Sequence, residues 1–189
     1  MRKYLYVLLI LLPFLFSACS SDKKETDASK QNTTQQETKT QNNPNEILLK
    51  DINGQTITVT KTDKGFLFSN AKDKVVLLAF FATWCPPCKA EIPHLVDLQE
   101  KYKGKLEIIG VLLEKNKDID EIKNFINYHA INYTVTNGDG NYKMTDLVGG
   151  VKNIPFMIMY DKHGDYATHY LGVIPEEMID SDIENTLKQ

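Results

Sequence analysis

Cysteine is scarce in this chain of 189 residues, which has only Cys19, Cys85 and Cys88. There is no second cysteine pair, and the four histidines stand apart without the spacing of metal ligands. A structural zinc site would need two ligands beyond Cys85 and Cys88. A disulfide that closes so short a loop would remove little entropy from the unfolded chain and would stabilise the fold poorly. The pair is therefore best interpreted as a redox pair.

The chain also lacks an excess of charge of one sign. It has 22 Lys and Arg residues against 25 Asp and Glu residues, which gives a net charge of −3, and its lysines are scattered. A nucleic-acid-binding protein would concentrate basic residues in a patch or stripe. We therefore expect no nucleic-acid partner, and we expect no cofactor other than a Cys85–Cys88 disulfide.

Long hydrophobic runs are absent except near the N terminus, where Arg2 and Lys3 precede an apolar run over residues 5–16. A membrane-spanning helix needs about 20 apolar residues, and this run has roughly a dozen. The small residues Ser17 and Ala18 follow it. A basic start, a short apolar run and a small-residue boundary predict a secretory signal peptide over residues 1–19.

The end of that segment, Ser17-Ala18-Cys19, resembles the bacterial lipoprotein box, although Phe16 stands where Leu is usual. The resemblance implies that Cys19 is acylated and becomes the new N terminus. The alternative is an ordinary cleaved signal with an incidental cysteine. Each buried acyl methylene contributes about 0.8 kcal/mol to membrane attachment. We therefore expect a membrane-anchored lipoprotein that faces the periplasm or the cell exterior.

Residues 20–45 contain no aromatic residue and no Val, Ile or Leu. Such a segment cannot bury enough apolar surface to offset the entropy lost on ordering, so it predicts a disordered tether. About 26 residues of flexible chain would reach roughly 25–30 Å. The remaining residues 46–189 have the length of one domain with a sizeable core.

Hydrophobic patterning over residues 46–189 predicts alternating strands and helices. Asn53-Gly54 indicates an N-terminal β-hairpin between residues 47–49 and 56–59. A continuous apolar run at 75–81 predicts a central strand buried on both faces, and a helical period follows it over 89–102.

The other predicted elements complete an α/β order. They are a strand at 106–113, a helix at 118–130, a strand at 133–136, a loop at 137–140, a helix at 142–148, a hairpin of 154–160 with 166–171, and a helix at 175–188 with Met178, Ile179, Ile183 and Leu187 inward. This order implies a mixed β-sheet with helices on both faces.

The Cys-x-x-Cys motif follows the predicted central strand and opens the predicted helix. The N terminus of a helix presents free N–H groups and a partial positive charge, which stabilise a thiolate at Cys85. We therefore expect Cys85 to attack a substrate disulfide and Cys88, one turn further, to resolve the mixed disulfide. Pro86 and Pro87 lack N–H donors and stiffen the loop between the two cysteines.

Residues 80–93, which read Phe-Phe-Ala-Thr-Trp-Cys-Pro-Pro-Cys-Lys-Ala-Glu-Ile-Pro, resemble the active-site segment of the thioredoxin family. The likeness is closest to the membrane-anchored TlpA/ResA-like branch of that family. It covers essentially all of residues 46–189, including the N-terminal hairpin, a central insertion around 114–136 and the dipeptide Ile154-Pro155. The resemblance implies a thioredoxin fold.

The same resemblance implies where a partner protein would bind. Pro155 should follow a cis peptide bond and pack beside the cysteine pair, while Ile154 should offer backbone groups to the partner chain. Trp84 and Pro86, on either side of Cys85, should line the partner groove; the alternative for Trp84 is a place in the core.

Glu91 stands three residues after Cys88 and marks this branch of the family. By resemblance it is a buried acid near the thiols that assists proton transfer. The alternative is a solvated glutamate favoured by the helix dipole. Ala79 stands where cytosolic thioredoxins have an acid, so Glu91 would have to supply any carboxylate chemistry. His94 is interpreted as a surface or capping residue.

The resemblance further implies a monomeric enzyme that reduces disulfides of exported proteins such as apocytochrome c, with electrons from a membrane thiol reductant of the DsbD/CcdA kind. A disulfide oxidase or isomerase is one alternative, because the direction of exchange depends on the reduction potential. A copper-delivery module on the same fold is another, although such proteins usually space their cysteines differently. A peroxidase of the related fold lacks support because its Pro-x-x-x-Thr-x-x-Cys signature is absent.

Overall fold

The computed structural model describes residues 45–189. The predicted signal peptide, the predicted lipidation site Cys19 and nearly all of the predicted tether lie outside these residues. None of the helices within the described range has the length and apolar character needed to cross a bilayer.

Eight strands and four helices make up the described domain. The strands are β1 (Glu46–Asp51), β2 (Thr56–Lys61), β3 (Phe66–Phe68), β4 (Val75–Phe81), β5 (Leu106–Leu112), β6 (Thr134–Asn137), β7 (Phe156–Tyr160) and β8 (Tyr166–Leu171). The helices are α1 (Pro86–Lys101), α2 (Ile119–Tyr128), α3 (Asp139–Leu147) and α4 (Glu176–Thr186).

All eight strands form one mixed sheet in the order β3-β2-β1-β6-β5-β4-β7-β8. Strands β4, β5 and β6 are parallel, β7 is antiparallel to β4, and the β1–β2 hairpin joins the sheet where β1 pairs with β6. The predicted hairpin and mixed sheet are confirmed. Strand β3 is not predicted by the sequence patterns, because three residues are too few to show a period.

Strand β4 is buried along its whole length, as its continuous apolar sequence predicts. Its even-numbered residues from Val76 to Phe80 pack in a cluster with Met144 of α3. Its odd-numbered residues from Val75 to Ala79 pack in a second cluster with residues of α1 and α4. The prediction of helices on both faces of the sheet is confirmed.

Two local predictions are wrong. Helix α3 begins at Asp139, within the predicted loop. Gly140 lies in its first turn, and the close approach of the Leu48 carbonyl oxygen, which would collide with a Cβ, accounts for the glycine at that position. Met178 is 55% exposed rather than inward, because α4 buries the side that carries Ile179 and Ile183. Adjacent helical residues differ in direction by about 100°, so Met178 cannot share that side.

Candidate active site around Cys85 and Cys88

The two cysteines lie where β4 passes into α1. Cys85 is the N-cap residue of α1, and Pro86 and Pro87 occupy the first helical positions. The backbone N–H of Cys88 donates a hydrogen bond to the Sγ atom of Cys85 at 3.2 Å. The two cysteines are joined by a disulfide. Sequence and structure therefore agree on which pair of side chains could exchange electrons.

The two cysteines are equally buried, but they differ in their position relative to the N terminus of α1. Cys85 is 3% exposed and Cys88 2% exposed. An N-cap side chain receives hydrogen bonds from the N–H groups of the second and third helical residues. Here the second residue is Pro87, which has no N–H, so the donor is Cys88. The Cys85 sulfur consequently occupies the place where a thiolate is stabilised.

The loop before β7 packs against the cysteine pair. The peptide bond between Ile154 and Pro155 is cis, as the family resemblance implies, and Pro155 is buried. The Sγ atom of Cys85 lies 3.9 Å from the carbonyl oxygen of Ile154. Gly172 N donates a hydrogen bond to the carbonyl oxygen of Pro155 at 2.9 Å, which ties the loop after β8 to the same site.

Trp84 and Pro86 flank Cys85 on the surface. The side chain of Trp84 is 65% exposed, so the alternative that it belongs to the core is wrong. Pro86 is also exposed. An exposed tryptophan beside a reactive group is a strong candidate for a binding contact, because aromatic side chains contribute large contact areas to interfaces. Binding of a partner by Trp84, Pro86 and Ile154 stays a prediction.

Glu91 is buried within α1, with 1% of its surface exposed. Its Oε2 atom accepts a hydrogen bond from the backbone N–H of Ile174 at 3.1 Å, and its Oε1 atom has no partner in the described protein. Burial raises the pKa of Glu91, although the bond from Ile174 and the charge of His94 lower it. The alternative that Glu91 is a solvated surface residue is wrong.

Glu91 and Cys88 line one small cavity together with Ala79, Tyr133 and Pro155. The small side chain of Ala79 leaves this space beside the strand, and the carboxyl group reaches it from the helix. Burial and the charge of Glu91 raise the pKa of the Tyr133 phenol above its ordinary value. The cavity therefore places an acid of altered proton affinity beside the second cysteine.

Tyr133 and Glu114 are site residues that the sequence analysis does not identify. The Tyr133 ring passes over Gly110 of β5, whose missing side chain makes room for it. No spacing rule signals that contact. Glu114 follows the carboxyl end of β5, which lies at the same edge of the sheet as the end of β4 because the strands are parallel. That topological rule could have indicated Glu114.

Glu114 holds the loop that leads into Cys85. Its Oε1 atom accepts a hydrogen bond from the backbone N–H of Thr83 at 2.6 Å, and its Oε2 atom pairs with Lys117 at 3.2 Å. Burial raises the pKa of Glu114, but the bonds from Thr83 and Lys117 outweigh it and bring the pKa below the usual range. The carboxylate thus stays ionised and binds the loop firmly.

Other ionisable groups do not converge on the site as metal ligands would. Within residues 45–189, no group of three or more His, Cys, Asp or Glu side chains is arranged to hold a metal ion. His94 is half-buried on α1, one turn beyond Glu91. His163 and His169 are exposed, and His169 shares a hydrogen bond with the hydroxyl of Tyr166.

Comparison with known proteins agrees with this geometry. Residues 45–181 match the model of the AhpC/TSA family. The chain is 32% identical over 112 residues to the thiol-disulfide oxidoreductase ResA of Bacillus thuringiensis strain Al Hakam, over 58% of this chain and 61% of that protein. It thus spans less than two thirds of that relative. It is 29% identical over 143 residues to ResA of Bacillus subtilis strain 168, over 75% of this chain and 72% of that protein.

A solved structure supports the same fold. The thiol:disulfide interchange protein of the thioredoxin family from Chlorobium tepidum TLS superposes with a TM-score of 0.62 at 23% identity, over 75% of this chain and 93% of that chain. The predicted thioredoxin fold is therefore confirmed.

Proposed function

The chain belongs to the AhpC/TSA family, and from this premise we propose that it is an exported thiol:disulfide oxidoreductase that reduces disulfides through Cys85 and Cys88. The observation that carries the proposal is the hydrogen bond from Cys88 N to the Cys85 sulfur at the start of α1. A sulfur in that position ionises readily and attacks disulfides. The ResA relatives, which are named thiol-disulfide oxidoreductases, support the same chemistry.

The reaction begins with the reduced pair. The thiolate of Cys85 attacks one sulfur of the substrate disulfide, forms a mixed disulfide and releases the other substrate sulfur as a thiolate. Cys88 then loses its proton and attacks the Cys85 sulfur, so the mixed disulfide breaks and the second substrate thiolate leaves. Two electrons have passed to the substrate. A membrane thiol reductant of the DsbD/CcdA kind would restore the dithiol.

Glu91 is the group best placed to receive the proton of Cys88. Both side chains line the same small cavity, and Glu91 is the acid that lies there. Its pKa is raised by burial, which brings its proton affinity closer to that of a thiol than an ordinary carboxyl would have. Glu91 can therefore accept the proton in the resolving step and return it to a product thiolate.

Pro87 favours reduction over oxidation as the direction of the reaction. A strong oxidant of this fold stabilises its thiolate form, which makes the dithiol state favourable. Pro87 lacks the N–H of the second helical position, which would otherwise help Cys88 N to stabilise the Cys85 thiolate. A less stabilised thiolate gives up its electrons more readily, so we expect a reducing pair.

The substrate we propose is an extended segment of an exported protein, such as the haem-binding cysteine pair of an apocytochrome c. Trp84 offers an exposed apolar surface, and the Ile154 carbonyl lies beside the reacting sulfur. Acylation of Cys19 would keep the monomeric domain near the membrane. A Cys19→Ala variant should then partition with soluble extracytoplasmic proteins; a variant that remained membrane-bound in the same amount would contradict the anchor.

Mixed-disulfide trapping tests the proposed function. In cells that express Cys88→Ala, the resolving step has lost its nucleophile, so the partner should remain attached to Cys85 and be identifiable by mass spectrometry. Cys85→Ala is the matched control and should trap almost nothing. Capture of an apocytochrome c supports the reductase, and capture of many secreted proteins would favour an oxidase or isomerase. Trapping by neither variant would contradict disulfide exchange.

A further inference from the structure

One face of the β7–β8 hairpin is left uncovered by the helices of the described domain. Helices α1 and α4 pack against the opposite face of the sheet. On this face, α3 is the only helix within residues 45–189 that joins the buried cluster, and no residue of β8 belongs to that cluster. Tyr166 is consequently 51% exposed and Leu171 58% exposed. Contiguous apolar surface of this kind is typical of a binding site.

The uncovered face forms a groove from two adjoining cavities. One has a volume of about 390 Å³ and lies between the end of α3 and the strands β7 and β8. The other, of about 180 Å³, lies between the loop after α3 and the same two strands. Phe156 lines both cavities, so they are continuous. We call this surface the aromatic groove and define it by Val148, Lys152, Phe156, Tyr166, His169 and Leu171.

Aromatic rings form the floor of the aromatic groove. The ring of His169 lies 5.9 Å from that of Phe156 and 6.2 Å from that of Tyr166, measured between centroids. The hydroxyl of Tyr166 and Nδ1 of His169 share a hydrogen bond of 2.6 Å, which fixes the two rings relative to each other. Aromatic rings pack favourably against further aromatic rings and bury large apolar areas. The floor therefore suits an apolar side chain, and an aromatic one best.

The charges at the aromatic groove are basic. Within the part of the chain that the structure describes, no Asp or Glu side chain lines either cavity, whereas Lys64 lines one and Lys152 the other. Lys64 is paired with Asp165 at 3.1 Å, which offsets its charge. Lys152 is exposed and adds a positive charge at the end of the groove nearer to the active site. An apolar segment with acidic rather than basic residues at that end complements these charges.

The aromatic groove begins at the reacting sulfur. The carbonyl oxygen of Ile154 lies 3.9 Å from the Sγ atom of Cys85. Phe156 begins β7 two residues later, and this strand continues to Tyr160, which pairs with Tyr166 of β8. A strand rises about 3.3 Å per residue, so the distance from Ile154 to Tyr160 is about 20 Å. About six extended residues of a bound chain would therefore reach from the active site to the far end of the groove.

We propose that the aromatic groove binds the polypeptide next to the substrate disulfide and so determines which exported proteins react. The occupant is an extended segment of about six residues, with apolar or aromatic side chains towards the groove and no basic residue near Lys152. The proposal rests on the function proposed above, because it extends the binding site from the reacting cysteines to the neighbouring substrate chain. The disulfide exchange itself is unchanged.

The first test varies the substrate. The reduced full chain reacts with disulfide peptides that carry one phenylalanine at successive positions of a Gly-Ser segment on either side of the disulfide, and the second-order rate constant is measured. Successive side chains of an extended segment point to opposite sides. The rate constant should therefore rise about tenfold at alternate positions within six residues of the disulfide, as burial of an aromatic side chain would produce. Equal rate constants at all positions would overturn the proposal.

The second test varies the groove. Leu171→Lys places a charge in it, and Met178→Lys is the matched control on α4, because the two side chains are 58% and 55% exposed. The measured quantity is the rate constant for the fastest phenylalanine peptide divided by that for oxidised glutathione, which is too short to reach along the groove. This ratio should fall about tenfold in Leu171→Lys and stay constant in Met178→Lys. An unchanged ratio in Leu171→Lys, or a change in sedimentation that assigned the groove to a second copy of the chain, would overturn the proposal.

A third test measures binding without exchange. The fastest phenylalanine peptide, with serine in place of both cysteines, is added to the oxidised full chain, and the histidine ring signals are followed by NMR. The signals of His169 should shift, whereas those of His163, which is exposed on the turn between β7 and β8, should not. Absence of a shift at His169 would overturn the proposal. A shift at His169 together with no reduction of any disulfide peptide would support the groove and contradict the oxidoreductase function.

Discussion

The two faces of strand β4 are both apolar but differ near its carboxyl end, where the large Phe80 lies on one face and the small Ala79 on the other. The face towards α3, here called the cohesive face, carries residues Val76, Leu78 and Phe80, and the Phe80 ring stacks on Phe156 with centroids 5.9 Å apart. The face towards α1, here called the reactive face, has Ala79 at the corresponding level and the small cavity beside it.

The difference shows how one strand serves two purposes. Burial of a large apolar side chain stabilises a fold by about 1.5–3 kcal/mol. A buried carboxyl group with an unpaired oxygen has the opposite effect. The cohesive face therefore supplies stability at the level of Phe80, whereas the space beside Ala79 on the reactive face holds the Glu91 carboxyl of α1 at a cost, because the proposed chemistry needs an acid beside Cys88. Substitutions on the two faces should separate these contributions.

The largest effect should come from Phe80→Ala on the cohesive face. The side chain is fully buried, so the loss of apolar contact and the remaining space should lower the free energy of unfolding by about 3–5 kcal/mol. Urea denaturation measures the change. Leu67→Ala, at a side chain that is 47% exposed, is the control and should change stability by less than about 0.5 kcal/mol. Similar changes in the free energy of unfolding for both variants would contradict the claim that the cohesive face supplies stability.

A smaller effect should follow from Glu114→Ala, beside the loop that leads into Cys85. Thr83 N would lose its charged acceptor, which should cost about 1–3 kcal/mol and loosen the loop before Cys85. Hydrogen exchange of the Thr83 amide measures the loosening. Glu121→Ala removes a more exposed carboxylate that also pairs with Lys117, and it should leave that amide protected. Equal exchange in both variants would show that Glu114 does not hold the loop.

Pro87→Ala should raise the reduction potential of the Cys85–Cys88 pair without a large change in the free energy of unfolding. The new N–H at the second helical position can donate to the Cys85 thiolate. One further hydrogen bond of about 1.4 kcal/mol would raise the reduction potential by about 30 mV. Pro93→Ala, further along α1, is the control. A potential that became more negative in Pro87→Ala would refute the argument from missing donors.

Glu91→Gln should produce the smallest change in stability, and its sign should depend on pH. Because the pKa of Glu91 is raised in the folded state, the protonated acid is favoured there. The wild type gains this stability below the unfolded pKa, and it loses the stability as pH rises through the folded pKa. The variant should therefore become more stable relative to the wild type as pH rises. Parallel stability curves would mean that the carboxyl group is not perturbed.

The sequence predicts the framework better than the site. The continuous apolar run of β4 and the Asn53-Gly54 turn identify their elements because each signal is local. The cis bond before Pro155 required the family resemblance, since few X-Pro bonds are cis. The sequence analysis does not identify Tyr133 and Glu114 as site residues, because their contacts join segments far apart in sequence. Cys19 lies outside the described residues, so its acylation stays a prediction.

The reduction potential of the Cys85/Cys88 couple tests the central claim most directly. Purified domain is equilibrated in thiol–disulfide buffers of known potential, and the oxidised fraction is followed by alkylation and mass spectrometry. A reductase whose Cys85 thiolate has one backbone donor should lie nearer to about −270 mV, as in reducing thioredoxins, than to about −120 mV, as in strong oxidants. A potential at or above about −180 mV, in the range of isomerases and oxidases, would contradict the account.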